Sequence, residues 1–173
     1  MKTNVANITP RTNCPRRLRT ALTLILMTAI SVFYSSPLLV QAAAGDLDTS
    51  FGVGGRVVTD VSDYTGESGQ DVALQPDGKI LVAGYALSSS DGTSDFVVLR
   101  YNSDGSLDTS FGIDGKVLTD FGNPNDRAEA IALQVDGRII VAGRAYTSGV
   151  SNFAVARYDV NGNLDPSFGV QGK

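Results

Sequence analysis

The sequence predicts an all-β protein built from repeated four-stranded antiparallel units. Three observations indicate this fold class: a segment of about sixty residues recurs, short apolar runs alternate with Asp-Gly or Asn-Gly turns, and no window has a helical period. All 19 glycines of the chain stand at Gly45 or later. This composition favours short strands joined by tight turns.

A hexapeptide marks the repeat. LDTSFG occurs at Leu47–Gly52 and again at Leu107–Gly112, and LDPSFG occurs at Leu164–Gly169, so the marks are 60 and 57 residues apart. The chain therefore divides into an N-terminal segment, two full units and the start of a third, with expected bounds of 1–44, 45–106, 107–163 and 164–173.

Each unit predicts four strands. In the first unit we expect them at about Arg56–Val61, Asp71–Gln75, Lys79–Tyr85 and Asp95–Tyr101. The Pro-Asp-Gly turn at 76–78 joins the second and third strands and places its glycine at a positive φ. The strand KILVAG is apolar on both faces, so it must be covered on both sides. Such units predict sheets stacked face to face, like the blades of a β-propeller.

Several motifs resemble the delta-60 repeat family, a group of β-propeller repeats in exported bacterial proteins. The resemblance is carried by LDxSFG, by the GKVxTD-like segments Gly55–Asp60 and Gly115–Asp120, by DGKILVAG, and by the RYxxDGxLD-like segment Arg100–Asp108. It covers nearly all of residues 45–173. The resemblance implies a propeller fold and more blades than two, and it implies no reaction.

The number of repeats raises a question of closure. Propellers usually close with four to eight blades, and stacked repeats generally need at least three units to bury their faces. The sequence therefore predicts either a fragment of a longer reading frame, which supplies further blades, or a homo-oligomer that closes a ring. Three copies would give six blades and four copies eight. We favour the fragment.

The first 44 residues predict an export signal. The basic residues of this segment all precede Thr20, and the apolar core runs from Ala21 to Tyr34, which is the length of a signal-peptide core. Small residues at Ala42–Ala44 predict cleavage before Gly45. The protein is then secreted or held at the cell surface, with no stable membrane span after cleavage.

Two other interpretations of this segment stay open. The uncharged stretch is long enough to span a bilayer as an uncleaved anchor, which would also place the remaining residues outside. Arg16 and Arg17 suggest a twin-arginine signal, but Arg19 and Thr20 stand where that signal prefers apolar residues. Cys14, the single cysteine, precedes the apolar core and so does not fit a lipoprotein site.

Charge and composition exclude several function classes for the segment from Gly45 onwards. Five of the chain's 14 basic residues and none of its 18 acidic residues precede this point, so the segment has nine basic and eighteen acidic residues and a net charge of −9. That charge argues against a nucleic-acid partner. The segment has no His and no Cys, which excludes a thiolate nucleophile, an imidazole base and nitrogen- or sulfur-ligated metals.

The carboxylates that recur in every unit indicate structure rather than chemistry. Asp48, Asp108 and Asp165 occupy the same place in the repeat and are expected to accept backbone N–H groups in Asx turns. Asp159–Asp165 presents oxygen atoms at alternate positions, as calcium loops do, but its glycine and glutamate spacing does not fit an EF-hand. Hairpin-turn chemistry explains those residues, so we assign no metal, no cofactor and no catalytic residue.

The differences between the units point to one loop face. Aligning the units requires gaps only in two connections, which lie at the same end of an antiparallel meander, and variable loops are where repeat proteins bind partners. These loops are expected at 63–69, 88–94, 122–127 and 147–151. The candidate binding residues are Tyr64, Glu67, Asp91, Asp126, Arg127 and Tyr146. Loop drift at exposed tips is the alternative.

The sequence thus predicts an exported β-propeller repeat module for extracellular binding or assembly, with its ligand open. A catalytic propeller acting on an extracellular polymer such as a polysaccharide is the first alternative, and a structural surface protein without a discrete ligand is the second. The fold alone does not choose between these classes. Enzymatic activity is undecided, and the balance is against it.

Overall fold

The computed structural model describes residues 44–61, 63–122 and 124–173. The expected export signal therefore lies almost wholly outside the described residues. Within them the chain forms seven strands and no helix: β1 (Tyr64–Leu74), β2 (Ile80–Ser88), β3 (Ser94–Tyr101), β4 (Lys116–Thr119), β5 (Arg127–Leu133), β6 (Ile139–Thr147) and β7 (Val150–Tyr158). The described residues accordingly include no helix that could cross a membrane.

The strands form two antiparallel sheets. The first has the order β1-β2-β3-β4 and the second the order β5-β6-β7. Every pair of neighbours is antiparallel, as consecutive strands joined by short turns require. The prediction of an all-β protein made of antiparallel units is confirmed. The first sheet has the four strands expected and the second has three, and the two sheets do not close into a ring.

The sheets are offset from the sequence repeat. Lys116–Thr119, which we expected to open the second unit, pairs with β3 and completes the first sheet. Its counterpart in the first unit, Arg56–Val61, was predicted as a strand, but the structure has only an isolated bridge from Arg56 to Gly52 there. Lys116–Thr119 has β3 as its pairing partner, whereas residues 44–55 of the described chain contain no strand that could pair with Arg56–Val61.

A β-bulge near the middle of each first hairpin requires a glycine on the facing strand. The register shifts between Gly69 and Asp71 in β1, and the shift brings the backbone of Ser68 against Gly84 of β2. A Cβ at Gly84 would lie 1.9 Å from the carbonyl oxygen of Ser68. The second sheet has the same arrangement at Gly143. The VAG motif thus requires glycine at its third position, because the facing backbone leaves no space for a Cβ.

The main core lies between the two sheets. Leu81, Ala83, Phe96 and Val98 of the first sheet are fully buried against residues of the second. Those residues include Ala128, Ile131, Ile139, Val141, Ala154, Ala156 and Tyr158. The opposite face of the first sheet is also covered, since Ala86 and Val97 pack with Val61 and Tyr64. The face that carries Leu81 and Ala83 is buried as predicted, while Ile80 and Val82 on the other face are half-buried.

The LDxSFG motif is held against the last strand before it by an arginine of that strand. Arg100 of β3 donates from Nε to Asp108 (2.8 Å) and lies over the ring of Phe111, with its carbon Cζ 4.5 Å from the ring centroid. Asp108 in turn accepts the N–H (3.1 Å) and the hydroxyl (2.6 Å) of Ser110. The corresponding groups of the next unit make the same contacts around Asp165. The predicted Asx turns are confirmed.

Candidate functional site

A pocket opens at one end of the first sheet. In an antiparallel sheet the first residues of β1 and β3 lie at the same end as the last residues of β2 and β4. This end carries a pocket of about 550 Å³, which we call the loop-face pocket. It is lined by Tyr64, Ser88, Asp91, Thr93, Asp95, Asp120, Gly122 and Pro124. The expectation that the variable connections share one end is met in this sheet.

Tyr64 and Asp95 form the polar floor of the pocket. The Tyr64 hydroxyl donates a hydrogen bond to Oδ2 of Asp95 at 3.1 Å, which joins the first residue of β1 to the start of β3. Partial burial, the hydrogen bond to Asp95 and the charges of nearby carboxylates together raise the pKa of Tyr64 to about 12. Tyr64 is therefore a neutral hydrogen-bond donor at any physiological pH.

Asp91 shapes the β2–β3 loop that forms one wall. Its Oδ1 accepts the backbone N–H of Thr93 (3.0 Å) and the Thr93 hydroxyl (2.8 Å). These hydrogen bonds hold the pKa of Asp91 below its ordinary value. The carboxylate is thus ionised, exposed and held in a fixed position.

Three carboxylates meet beside the pocket: Asp95, Asp120 and Asp126, which we call the acidic triad. One oxygen from each lies within 4.8 Å of one from each of the others. Asp95 is half-buried, Asp120 is exposed and Asp126 is wholly buried. Burial is the main cause that raises the pKa of Asp126 above its ordinary value. The charges of Asp120 and Asp95 act in the same direction, and the backbone N–H groups of Phe121 and Tyr146 oppose them.

The pKa of Asp95 is raised for similar reasons. Burial is the largest cause, and the charges of Asp120 and Asp91 act in the same direction, while the hydrogen bond from Tyr64 opposes them. The pocket therefore concentrates negative charge in partly desolvated surroundings.

The connection from β4 to β5 brings Asp126 to this place. Ser94 of β3 donates its backbone N–H to the carbonyl of Pro124 (3.0 Å), and its own carbonyl accepts the N–H of Asp126 (2.7 Å). Oδ2 of Asp126 then accepts the N–H of Phe121 at 2.7 Å. The connection is fixed at both ends, so the acidic triad joins the first sheet to the first residue of the second.

The structure brings three of the six predicted binding residues together. Tyr64 and Asp91 line the pocket, and Asp126 belongs to the adjoining triad. The loop expected at 63–69 is largely strand, because β1 already begins at Tyr64 and pairs with β2. Its Glu67 accepts the N–H of Val61 at 2.8 Å and does not line the pocket.

The side chains of Arg127 and Tyr146 lie outside the pocket, although the backbone N–H of Tyr146 approaches Asp126. The guanidinium of Arg127 lies over the ring of Tyr85, 4.4 Å from its centroid, so it packs against the first sheet. Tyr146 is near the end of β6, opposite Ser151, and is 39% exposed. Neither lines the loop-face pocket.

The sequence analysis missed Asp95 and Asp120 as site residues. Asp120 ends the repeated GKVxTD-like segment and Asp95 is the first residue of an expected strand, so neither was chosen as a binding residue. A usable signal was present, because the second unit has Asn152 at the position of Asp95, so this carboxylate is not a repeated turn residue. Asp95 and Asp120 come close to Asp126 only because of the path of the β4–β5 connection, and the spacing of residues in the sequence does not indicate that path.

The acidic run that resembles a calcium loop is occupied by its own turn. Asp159 accepts the backbone N–H groups of Asn161 (2.8 Å) and Asn163 (2.9 Å), and Oδ2 accepts the side-chain amide of Asn163 (3.0 Å). These bonds are the hairpin-turn chemistry expected for this segment.

Two other grooves differ from the loop-face pocket because they recur in the repeat. One is lined by Gly52, Arg56 and Gly105, and the other by the equivalent Gly112, Lys116 and Gly162. Features present in each unit are explained by packing within the unit. The loop-face pocket, by contrast, depends on Asp91 and Asp95, which the second unit does not repeat.

Comparison with known proteins identifies the repeats. Residues 75–111 and 134–168 match a family described as "Domain of unknown function (DUF5122) beta-propeller". The two matched segments are the corresponding parts of the two units, and the match confirms the predicted propeller repeat. Neither the comparison with curated proteins nor the comparison with solved structures gave a match.

Proposed function

From these β-propeller repeats we propose that the chain is an exported module that binds an extracellular partner through the loop-face pocket. The blades act as a rigid frame, and the loops at one end of the first sheet carry the recognition. The observation that carries this proposal is the pocket itself, which combines fixed polar side chains with an open, partly apolar wall.

The charge of the pocket supports a partner with a cationic group. Asp91, Asp95 and Asp120 line it and Asp126 adjoins it, and no lysine or arginine is among its lining residues. A positive group entering the pocket would pair with carboxylates that are already held in place. The partner class we propose is therefore a protein or polymer that presents amino or guanidinium groups.

Export is proposed from the N-terminal segment and can be tested separately. We expect expression in a bacterial host to give a shortened protein outside the cytoplasm, with Gly45 as its N-terminal residue by mass spectrometry. Full-length protein in the membrane fraction would favour an uncleaved anchor, and protein confined to the cytoplasm would contradict export.

Binding can be tested with a simple cationic probe. Fluorescent hexalysine should bind, and hexaglutamate should not, when anisotropy is measured at physiological salt. Asp91→Asn and Asp120→Asn should each weaken hexalysine binding several-fold. The matched control is Asp77→Asn, which removes the same charge from an exposed turn after β1. Equal losses in all three variants would mean non-specific attraction to an acidic protein and would contradict a pocket.

The catalytic alternative draws on the same carboxylates. Glycosidases use two carboxylates about 5–10 Å apart, and the acidic triad provides close pairs at one mouth of the sheets. Against this use stands the complete burial of Asp126, which keeps it from contact with a polymer in the pocket. Release of reducing ends from a polysaccharide panel, abolished in Asp95→Asn, would favour catalysis over binding.

A further inference from the structure

The acidic triad carries an inference beyond partner binding. Its three carboxylates lie close together although like charges at such a distance repel. The ion pairs found in residues 44–61, 63–122 and 124–173 involve none of the three. Lys173 approaches Asp120, but its ammonium group donates to the backbone carbonyl oxygen of Asp120 at 2.9 Å. No side-chain cation of the described chain therefore pairs with the triad.

Asp126 supplies a second and independent observation. The residue is fully buried and Oδ2 accepts the Phe121 N–H, the nearby backbone N–H of Tyr146 also acts on this carboxyl, and Oδ1 still has no partner at hydrogen-bond geometry. A buried carboxylate oxygen without a partner is costly, and native structures rarely leave one. A ligand bound by both oxygens of Asp126 would supply the partner that Oδ1 lacks.

A purely structural role does not account for Asp126. Glu67 occupies the corresponding place before the first-unit bulge and accepts the N–H of Val61 at 2.8 Å, as Asp126 accepts that of Phe121. Glu67 is exposed while it does this. Fixing the connection thus needs one carboxylate oxygen and no burial. The second oxygen of Asp126 and the two added carboxylates are left unexplained by the turn.

The donor set indicates the kind of ion. All three groups offer hard oxygen atoms, and Ca²⁺ takes six to eight such atoms at about 2.3–2.6 Å. Two oxygen atoms on one Ca²⁺ are therefore at most about 4.6–5.2 Å apart, and the three carboxylate oxygens, within 4.8 Å of one another, are close enough to share one ion. Asp120 is exposed beside the open pocket, so water can complete the coordination. Mg²⁺ forms shorter bonds and requires stricter octahedral geometry.

We propose that Asp95, Asp120 and Asp126 bind one Ca²⁺ at the junction of the two sheets. The ion neutralises part of the triad's charge, provides a partner for the buried carboxylate of Asp126, and connects the start of β3 and the end of β4 to the start of β5. The inference rests on the same pocket as the proposed function, but its test needs no partner, so either can fail without the other.

The experiment is a titration of the full chain after removal of metals with EDTA. Isothermal titration calorimetry should give one Ca²⁺ per chain with a dissociation constant of about 10⁻⁴–10⁻³ M or tighter, the range of extracellular modules. Mg²⁺ should bind at least tenfold more weakly. The proposal would be overturned if no binding is seen at Ca²⁺ concentrations up to about tenfold above that range of dissociation constants. It would also be overturned if more than one Ca²⁺ binds per chain with the same affinity.

Variants locate the ion. Asp126→Asn and Asp120→Asn should each weaken Ca²⁺ binding at least tenfold, while Asp77→Asn and Asp159→Asn should leave it unchanged. Asp120 is exposed, so its variant keeps the test valid if Asp126→Asn does not fold, which circular dichroism would show. Loss of binding in Asp159→Asn would place the ion in the Asp159–Asp165 turn and refute the triad.

Luminescence of bound Tb³⁺, a probe for calcium sites, gives a second readout. Tyr64 is hydrogen-bonded to Asp95 and should therefore transfer excitation energy to an ion in the triad. Tyr64→Phe should reduce the luminescence several-fold while calorimetric Ca²⁺ affinity changes less than threefold. Undiminished luminescence in this variant would mean that the ion lies elsewhere.

Discussion

Arg100 offers a quantitative test of how the blades are held together. Its side chain is 7% exposed and makes three polar contacts: Nε with Asp108 (2.8 Å), Nη1 with the carbonyl of Val160 (2.6 Å) and Nη2 with Ser110 (3.2 Å). The contact with Val160 reaches the turn after β7 of the second sheet. Arg100 therefore links one unit to the next, and we predict that Arg100→Met destabilises the protein.

The magnitude follows from what the substitution leaves behind. Removing one partner of a buried ion pair costs about 3–5 kcal/mol, but Asp108 keeps Lys79, whose Nζ lies 2.8 Å away and which is 31% exposed. The unpaired Val160 carbonyl adds about 1 kcal/mol, and methionine retains most of the packing on Phe111. We therefore expect a loss of about 2–4 kcal/mol in the free energy of unfolding.

The second unit provides the matched comparison. Arg157 is 20% exposed and pairs with Asp165 at 2.9 Å, and Asp165 is also paired with Arg138. A more exposed pair is worth less, so Arg157→Met should cost about 1–2 kcal/mol. Urea unfolding followed by circular dichroism measures both values on the full chain. If Arg100→Met is no more destabilising than Arg157→Met, the argument from burial and the Val160 contact is wrong.

Three further predictions concern other parts of the structure. Hydrogen bonds, mainly from Lys79 and Ser110, hold the pKa of Asp108 well below its ordinary value, and the pKa of Asp165 is lowered to about 2. Both ionised carboxylates therefore stabilise the fold above about pH 4, and this contribution should be lost as the pH falls toward 2. A series of urea unfolding midpoints measured at decreasing pH would show the loss. Gly84→Ala should cost about 1–3 kcal/mol or more, because the added Cβ meets a backbone carbonyl. Phe153→Ser should reduce self-association measured by light scattering, since this ring is fully exposed on β7.

Each of these has a control. Asp108→Asn should flatten the acid dependence, and an unchanged profile would refute the role given to that carboxylate. Gly66→Ala should have little effect, because its Cβ meets nothing closer than 3.6 Å, and equal losses at both glycines would contradict the bulge argument. Val135→Ser removes an equally exposed side chain from a turn, so a mass change there as well would show that the face of β7 is not special.

Much of the fold was predictable because the same short turn and strand motifs occur in both units. The Pro-Asp-Gly turn and the Asp-x-Ser turn each depend on contacts within a few residues. Asp108 and Ser110 show this plainly, since a carboxylate two residues before a hydroxyl and an N–H has few other partners. The resemblance to a propeller repeat rested on these local signals, and the family match agrees with them.

The limits of the sheets were harder to predict because strand pairing is not local. Lys116–Thr119 looks like the first strand of a unit, but its pairing partner is β3 of the unit before it. The same sequence pattern at Arg56–Val61 has no such partner and forms only a bridge. A strand motif alone does not say which edge it will join.

The site was predictable only in part for the same reason. Tyr64 and Asp91 were found by comparing loops, which reports where the units differ. Asp95 and Asp120 become site residues only when the β4–β5 connection brings Asp126 to them through hydrogen bonds with Ser94. Asp95 and Asp126 are 31 residues apart in the sequence, and nothing in their spacing indicates that they lie close together.

The most direct test of the account is an NMR titration of ¹⁵N-labelled protein with Ca²⁺. The account predicts that the amide signals that move belong to Tyr64, to the segment from Ser88 to Asp95 and to the β4–β5 connection up to Asp126, while the turns at the opposite end of the sheets stay unchanged. Shifts centred on the turns at Asp77, Asp104 or Asp159, or spread evenly over the acidic surface, would contradict a functional site at the loop face.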